Sequence, residues 1–186
     1  MRIVAGEAGG RRLAVPPGDG TRPTSDRARE ALFGTLVALL DLDGARVLDL
    51  YAGSGAVGLE AVSRGAAAAL LVDADGRAAA TARANAAALG LADRVTVRRD
   101  RVDRMLAVPP EGGPYEVVFA DPPYALADAE IDATLAALAA TGWLARGAVL
   151  IVERSSRGAG PSWPAGVRPV KARRYGEGTL WYGRSS

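Results

Sequence analysis

From residue 44 onward, short apolar runs alternate with alanine-rich segments whose apolar positions recur at helical spacing. Apolar runs that end at turn residues predict strands buried on both faces. Strands that alternate with helices are typical of a parallel sheet covered by helices on both sides. The predicted strands are 46–51, 69–72, 95–97, 116–120 and 149–152, and the predicted helices are 56–64, 76–89 and 127–140, with a shorter turn at 102–107.

The start of the chain follows a different pattern. Residues 2–5 and 11–15 surround a glycine pair and predict a short β-hairpin. After a stretch rich in proline and glycine, Thr24 or Ser25 is placed to cap a helix that runs to about Asp41. We therefore expect a hairpin-and-helix extension over residues 1–43.

The end of the chain also departs from the alternation. Segments 167–174 and 179–184 flank a glycine-rich turn and predict a closing antiparallel hairpin. No linker long enough to separate a second large domain is visible, so residues 44–186 are predicted to form one main domain.

The amino-acid composition excludes several kinds of catalytic and metal site but adds little about the fold. The 186 residues are 49% hydrophobic and 24% charged, which is the make-up of a single compact domain. Cysteine and histidine are both absent, which excludes disulfides, thiolate or imidazole metal sites, and Ser-His or Cys-His catalysis. The longest uncharged apolar stretch, 133–145, is too short to span a bilayer, and the start does not look like a signal peptide. We expect a cytoplasmic protein without a metal. Its chemistry would depend on carboxylates, backbone groups, hydroxyls, arginine or a bound cofactor.

Charge is distributed unevenly, although the net charge is only +2. Residues 154–186 carry seven basic side chains against one acidic side chain, and residues 2–30 are also net basic. If the two ends meet in space, they form a positive face suited to a phosphate backbone. The alternative is a set of scattered, solvated arginines.

A glycine-rich turn follows the first predicted strand. Gly53, Gly55 and Gly58 match the spacing of a dinucleotide-binding loop, and Asp73 follows at the distance expected of a ribose-binding acid. The carboxylate of Asp49, inside the strand end, would repel a pyrophosphate but suits a ligand with an ammonium and a sulfonium, such as S-adenosylmethionine (SAM). The structural alternatives are a tight strand–helix turn for the glycines and a helix cap for Asp73.

A second motif, Asp121-Pro122-Pro123-Tyr124, directly follows the fourth predicted strand. Two prolines after a buried strand can simply end it. The combination of a carboxylate, an outward carbonyl and a stackable ring also suits methylation of an exocyclic amine on a planar base. Asp121 and the Pro122 carbonyl would accept the two N–H groups and orient the nitrogen lone pair, while Tyr124 would stack on the base.

With both motifs in place, the chain resembles the RsmD family of bacterial guanine-N2 methyltransferases over essentially its whole length. The segments that carry the resemblance are 1–6, 10–13, 22–33, 49–58, 60–66, Asn85 and 121–124. The resemblance implies a class I SAM-dependent methyltransferase fold, which is Rossmann-like, with a mostly parallel seven-stranded sheet and an antiparallel last strand. It also implies SAM as cofactor and guanine 966 of 16S ribosomal RNA as substrate, within an assembled or partly assembled small (30S) ribosomal subunit. We expect the protein to act as a monomer.

The two motifs and the resemblance together assign candidate site residues. Catalytic roles fall to Asp121, Pro122, Pro123 and Tyr124. The candidate cofactor-binding residues are Asp49, Tyr51, Ala52, Gly53, Ser54, Gly55, Gly58, Asp73, Asp100 and Asp121, and the candidate RNA-binding residues are Arg11, Arg12, Arg22, Thr24, Arg27 and Arg29. Asp100 is placed to meet the adenine amino group but equally to cap the next turn, and the helix arginines equally suit a solvated face.

Other functions share parts of this pattern. DNA adenine-N6 and protein glutamine-N5 methyltransferases use a similar turn, so the turn alone indicates an amino acceptor and not its substrate. Little chain remains outside the core to form a target-recognition domain, which disfavours a sequence-specific DNA enzyme. A nicotinamide-dependent oxidoreductase would satisfy the glycine spacing, and a non-catalytic ribosome-assembly factor would use the basic ends.

Overall fold

A computed structural model describes residues 1–18 and 25–186 of the chain. The main-domain elements lie close to their predicted positions, and the largest difference is the fifth strand, which runs well beyond the predicted 149–152 at both ends. In chain order the elements are α1 (Asp26–Leu39), β1 (Arg46–Leu50), α2 (Ala56–Ser63), β2 (Ala68–Asp73), α3 (Gly76–Ala88), β3 (Val95–Arg99), α4 (Val102–Leu106), β4 (Tyr115–Ala120), α5 (Asp128–Ala140), β5 (Leu144–Ser155), β6 (Val167–Tyr175) and β7 (Gly178–Ser185).

The seven strands form one sheet in the order β3-β2-β1-β4-β5-β7-β6. The pairs among β1 to β5 are all parallel, and β7 is antiparallel to both of its neighbours. This confirms the predicted seven-stranded sheet with an antiparallel last strand. Strand order reverses between β1 and β4, and ligands of open parallel sheets bind at such a point, beyond the carboxyl ends of the strands.

Two apolar cores cover the two faces of the sheet. Val47 of β1 belongs to the core shared with the N-terminal segment, α1, α2 and α3, whereas Leu48 and Leu50 belong to the core shared with α4 and α5. Successive side chains of a strand point to opposite faces, so a strand covered on both sides is apolar at nearly every position. Asp49 is the one buried polar residue of β1, and it lies on the face covered by α2.

The N-terminal segment is a docked loop and not the regular hairpin that was predicted. Only Arg2 and Arg12 form a bridge between its two arms. The segment is instead held by α2, because the Ser63 hydroxyl accepts a hydrogen bond from the Ala8 amide at 2.9 Å. A Cβ atom on Gly6 would lie 1.9 Å from the Ser63 carbonyl oxygen, so this close approach requires glycine.

A buried ion pair also joins the segment to α1 and α2. The Glu60 carboxylate accepts hydrogen bonds from the amides of Val4 and Ala5 at 2.7 and 3.0 Å. It pairs with the guanidinium groups of Arg29 at 3.2 Å and Arg64 at 3.0 Å. Arg29 and Glu60 are both 0% exposed. The prediction that Arg29 contacts RNA is therefore wrong, because its charge is used inside the protein.

Ser25 caps α1, because its hydroxyl accepts a hydrogen bond from the Ala28 amide at 3.1 Å. The alternative cap, Thr24, and the candidate RNA contact Arg22 lie outside the described residues. The helix ends at Leu39, two residues before the predicted end. None of the helices in the described ranges combines the length and apolar character needed to cross a membrane.

Candidate active site

A cavity of about 1520 Å³ opens at the carboxyl ends of β1, β2 and β4. Both sequence motifs line this cavity, although 62 residues separate the end of one from the start of the other. Their lining residues are Asp49, Tyr51, Ala52, Gly53, Ser54 and Asp73 on one side, and Asp121, Pro122, Pro123 and Tyr124 on the other. The sheet therefore places a cofactor-type loop and an acceptor-type loop beside one shared space.

The Asp73 side chain is held in place by the backbone of two turns. One carboxylate oxygen accepts a hydrogen bond from the Gly53 amide at 2.9 Å, and the other accepts from the Asp75 amide at 2.9 Å. Each carboxylate oxygen has a second lone pair, so Asp73 can also accept hydrogen bonds from two hydroxyl groups of a ligand. Gly53 has a φ of +57°, a conformation that glycine adopts without strain.

Asp49 is buried, and one of its oxygens accepts a hydrogen bond from the Gly58 amide at 2.9 Å. Burial raises the pKa of Asp49 to about 8, the Gly58 hydrogen bond partly opposes this, and the nearby Asp73 charge adds to it. No arginine or lysine of the described residues forms an ion pair with Asp49. A cationic ligand in the cavity would supply the missing counter-charge and favour the ionised form.

Gly55 and Gly58 do not line the cavity, contrary to their predicted role as cofactor contacts. A Cβ atom on Gly55 would lie 2.7 Å from the Leu71 side chain, and a Cβ atom on Gly58 would lie 2.1 Å from it. These glycines let the start of α2 pack tightly against β2, which is the packing role of a glycine in such loops. The amide of Gly58 still acts on the site through Asp49.

Asp100 also lies outside the lining, so its predicted contact with adenine is not supported by this arrangement. Its carboxylate accepts hydrogen bonds from the Arg98 guanidinium at 3.0 Å and from the Arg101 amide at 2.8 Å. Arg101 and Asp103, in the next turn, line the cavity instead. The alternative role of Asp100, a local cap of the turn before α4, agrees with these contacts.

The loop after β4 is anchored from one face of the sheet by Arg154. This buried guanidinium donates hydrogen bonds to the carbonyl oxygens of Pro123 at 3.2 Å and Leu126 at 2.8 Å, and it pairs with Asp128 at 3.0 Å. The anchor fixes the backbone that carries Tyr124, a residue that is 43% exposed. A partly exposed ring on a rigid loop is suited to stacking against a planar ligand.

Tyr51 completes the wall between the two motifs. It is the one non-glycine residue with positive φ in the described ranges, at +58°. Burial raises the pKa of its phenol, and a hydrogen bond with the Thr134 side chain opposes that rise. Backbone strain of this kind persists only where surrounding contacts enforce it, and it is frequent at binding sites.

The cavity is strongly acidic. Its described lining carries a single basic side chain, Arg101, and eight acidic ones: Asp49, Asp73, Asp75, Asp103, Asp121, Glu130, Glu153 and Glu177. Such a lining opposes a pyrophosphate and favours a ligand with positive charge. It therefore disfavours a nicotinamide dinucleotide as the cofactor.

A second groove, of about 560 Å³, adjoins the cavity and shares Tyr124, Glu153 and Glu177 with it. The start of α1 lines one side with Arg27, and the β6–β7 turn lines the other. The start of α1 and the C-terminal hairpin thus meet beside the acceptor loop, and Arg27 is the one basic side chain among the described residues of this groove, which also contains Glu153 and Glu177. Of the other candidate RNA contacts, Arg12 is exposed, and Arg11 is exposed but donates a hydrogen bond to the Ala88 carbonyl.

Sequence reasoning missed Glu153, which lines both the cavity and the groove. It directly follows the predicted strand 149–152, so its position beyond an apolar run in a parallel sheet was the available signal. Glu130, Thr134 and Glu177 were also missed, because their approach to the site depends on how α5 and the β6–β7 turn pack.

Comparisons with known proteins agree over the whole chain. The family model described as Conserved hypothetical protein 95 matches residues 1–184. The chain is 38% identical over 165 residues to Ribosomal RNA small subunit methyltransferase D of Escherichia coli K12, covering 89% of this chain and 80% of that protein. It is 34% identical over 155 residues to the protein of the same name from Haemophilus influenzae, covering 82% and 78% of the two chains.

The three-dimensional comparison extends the similarity to the full length of the chain. The solved structure of the Escherichia coli protein yhhF superposes with a TM-score of 0.86 at 33% identity, covering 100% of this chain and 97% of that one. The similarity therefore includes the N-terminal segment and the C-terminal hairpin as well as the central sheet.

Proposed function

Because this chain belongs to the Conserved hypothetical protein 95 family, the family of the RsmD proteins, we propose that it methylates the exocyclic N2 amine of a guanine in small-subunit (16S) ribosomal RNA. The fold is that of a class I SAM-dependent methyltransferase, and the cofactor is SAM. The substrate in this proposal is an assembled or partly assembled small ribosomal subunit in the cytoplasm.

The observation that carries the proposal is the single cavity between the two motifs. Asp49 and Asp73, the proposed cofactor-binding residues, and Asp121 and Tyr124, the proposed acceptor-binding residues, all line this cavity. Group transfer requires donor and acceptor to be held together in a fixed orientation, and this alone supplies much of the rate enhancement in such reactions.

The residues at the cofactor side fit SAM. Asp49 is a buried carboxyl whose charge is uncompensated by the described residues, so it suits the cationic part of the cofactor. Asp73, oriented by the amides of Gly53 and Asp75, would accept hydrogen bonds from the ribose hydroxyls. When bound, SAM supplies a methyl group that its sulfonium activates for transfer.

The residues at the acceptor side fit a planar base with an exocyclic amine. The lone pair of such an amine is delocalised into the ring, so the amine is a weak nucleophile. Asp121 and the Pro122 carbonyl would accept its two N–H groups and direct the lone pair out of the ring plane. Tyr124 would stack on the extruded base, and Asp121 is also placed to take the released proton.

The surroundings of the cavity suit a nucleic acid whose base enters while its phosphates stay outside. The interior of the cavity is acidic, but Arg27 lines the adjoining groove, and exposed basic side chains lie along β6. Phosphate contacts from such residues position a nucleic acid without reading its sequence. This division of charge supports an RNA acceptor over a small anionic one.

The proposal is tested with small subunits from a strain that lacks this protein. The purified protein and methyl-labelled SAM should add one methyl group per particle, recovered as N2-methylguanosine by mass spectrometry of the rRNA nucleosides. Protein-free 16S rRNA should be methylated more slowly. Absence of the modified nucleoside would refute the function, and equal rates on both substrates would remove the requirement for a ribosomal particle.

Two variants separate the roles of the two motifs. Asp121→Ala should lower kcat by about 10²–10⁴-fold while leaving SAM affinity within about twofold, because it removes the group that positions the acceptor amine and takes its proton. Asp73→Ala should weaken SAM binding by about 10–100-fold, because it removes hydrogen bonds to a charged acceptor. Wild-type turnover in Asp121→Ala, or unchanged SAM affinity in Asp73→Ala, would refute the corresponding role.

A further inference from the structure

Glu153 lies next to Asp121 at the edge of the sheet. The parallel pairs Phe119↔Ile151 and Ala120↔Val152 bring the end of β4 alongside β5, so the next position of β4 faces Glu153. Side chains that face each other in register across a parallel pair point to the same side of the sheet. Asp121, the first residue after β4, and Glu153 thus directly follow paired positions of the two strands, and both line the cavity.

The polar end of Glu153 also lies beside the ring of the acceptor loop. A Cβ atom on Gly178 would lie 2.9 Å from a carboxylate oxygen of Glu153 and 3.2 Å from the Tyr124 hydroxyl. Both side chains thus converge over Gly178, where the missing side chain leaves them room. A base stacked against Tyr124 would have its edge within reach of Glu153.

Among the bases with an exocyclic amine, guanine is the one whose edge is complementary to a carboxylate at the position of Glu153. In guanine, the ring N1–H is directly adjacent to the N2 amine, so its edge presents neighbouring donors. In adenine and cytosine, the ring nitrogen next to the amine carries a lone pair instead. A carboxylate accepts hydrogen bonds and donates none, so it would attract the first arrangement and repel the second.

We propose that Glu153 selects guanine by accepting the hydrogen bond of ring N1–H, while Asp121 and the Pro122 carbonyl hold the N2 amine. This role rests on the proposed function and deepens it, because the motif Asp121–Tyr124 by itself suits several amino acceptors. It makes Glu153 a specificity-determining residue that contacts the substrate base. Its neighbour Arg154 bonds the acceptor loop and supports the loop backbone.

The test uses small-subunit particles reconstituted with rRNA that carries guanine or 2-aminopurine at the modified position. 2-Aminopurine keeps the exocyclic 2-amine but has a lone pair at ring N1. The wild-type protein should prefer guanine in kcat/KM by on the order of 100-fold, since a site built to receive a donor discriminates strongly against its absence. Glu153→Gln supplies an amide N–H that can donate to N1 of 2-aminopurine, so its preference for guanine should fall at least about tenfold.

Glu111→Gln is the matched control, because it removes the same charge from an exposed position outside the cavity lining. It should keep the wild-type preference. Glu153→Asp keeps an acceptor-only group on a shorter side chain, so it should lower kcat/KM and still prefer guanine. SAM affinity, measured on each variant, shows that the cofactor side is intact.

The outcomes distinguish the two proposals. An unchanged base preference in Glu153→Gln, or a lost preference in Glu153→Asp, would overturn the role of Glu153 and leave the methyltransferase function standing. Absence of methyl transfer by the wild-type protein to guanine-containing particles would overturn the proposed function itself.

Discussion

The buried carboxyl of Asp49 leads to a quantitative expectation for cofactor binding. In the free protein its pKa is about 8, because burial disfavours the charged form. At pH 6 Asp49 is therefore almost entirely neutral. If it must ionise to compensate the positive charge of SAM, binding at that pH includes the cost of removing the proton. SAM affinity should then rise with pH.

The magnitude follows from the distance between the solution pH and the pKa. One pKa unit corresponds to about 1.36 kcal/mol, so ionising Asp49 at pH 6 costs about 2.7 kcal/mol. SAM affinity should increase about tenfold per pH unit up to pH 7.5. Above pH 7.5 the rise in SAM affinity should level off. An α-amino group titrates at about 7.7–8.0, so the ligand would begin to lose its own charge there.

Isothermal titration calorimetry with SAM between pH 5.5 and 7.5 measures this dependence. Titrations in buffers of different ionisation enthalpy should also show about one proton released per SAM bound at pH 6.5. Asp49→Asn is the matched control, because its amide oxygen can still accept the hydrogen bond from Gly58 but cannot ionise. That variant should show a flat affinity profile and no proton release.

The raised pKa of Asp49 also makes the stability of the folded protein depend on pH. Unfolded Asp49 loses its proton near pH 3.8, whereas the folded protein retains it to about pH 8. The contribution of Asp49 to the free energy of unfolding is therefore fully present below pH 3.8 and is lost as the pH rises towards 8.

A wild-type SAM affinity that is constant with pH, or a profile that Asp49→Asn shares, would refute the placement of the cofactor charge at Asp49.

Two further substitutions test the packing that supports the site. Glu60→Gln removes the buried charge that pairs with Arg29 and Arg64, while Asp26 still pairs with Arg29, so it should lower the free energy of unfolding in urea by about 3 kcal/mol, at the low end for a broken buried pair, whereas the exposed Glu30→Gln should change it little; equal effects would contradict the buried ion pair. Gly58→Ala places a methyl group against Leu71 and should cost about 1–3 kcal/mol, and part of that cost should be recovered in the double variant with Leu71→Ala, whereas simple additivity would show that the two positions do not meet.

Much of the fold was predictable from local patterns. The strand at 46–50 and the helix at 56–63 were found within one residue of their bounds, because apolar runs, glycine turns and helical periodicity act over a few neighbouring residues. β5 was predicted too short, because its outer residues are held by pairing with β4 and β7 and not by an apolar run.

Some features of the candidate site could likewise be predicted from the sequence, whereas others depend on the tertiary structure. That the loops at Gly53 and Asp121 would share one edge of a sheet could be inferred from the residues, since parallel strands place their carboxyl ends together. The burial of Arg29, the position of Asp100 outside the cavity and the approach of Glu153 to Asp121 depended on which segments pack against each other. Strand register and helix packing join residues far apart in the chain, so the direction of a single charged side chain emerges only when the whole core is assembled.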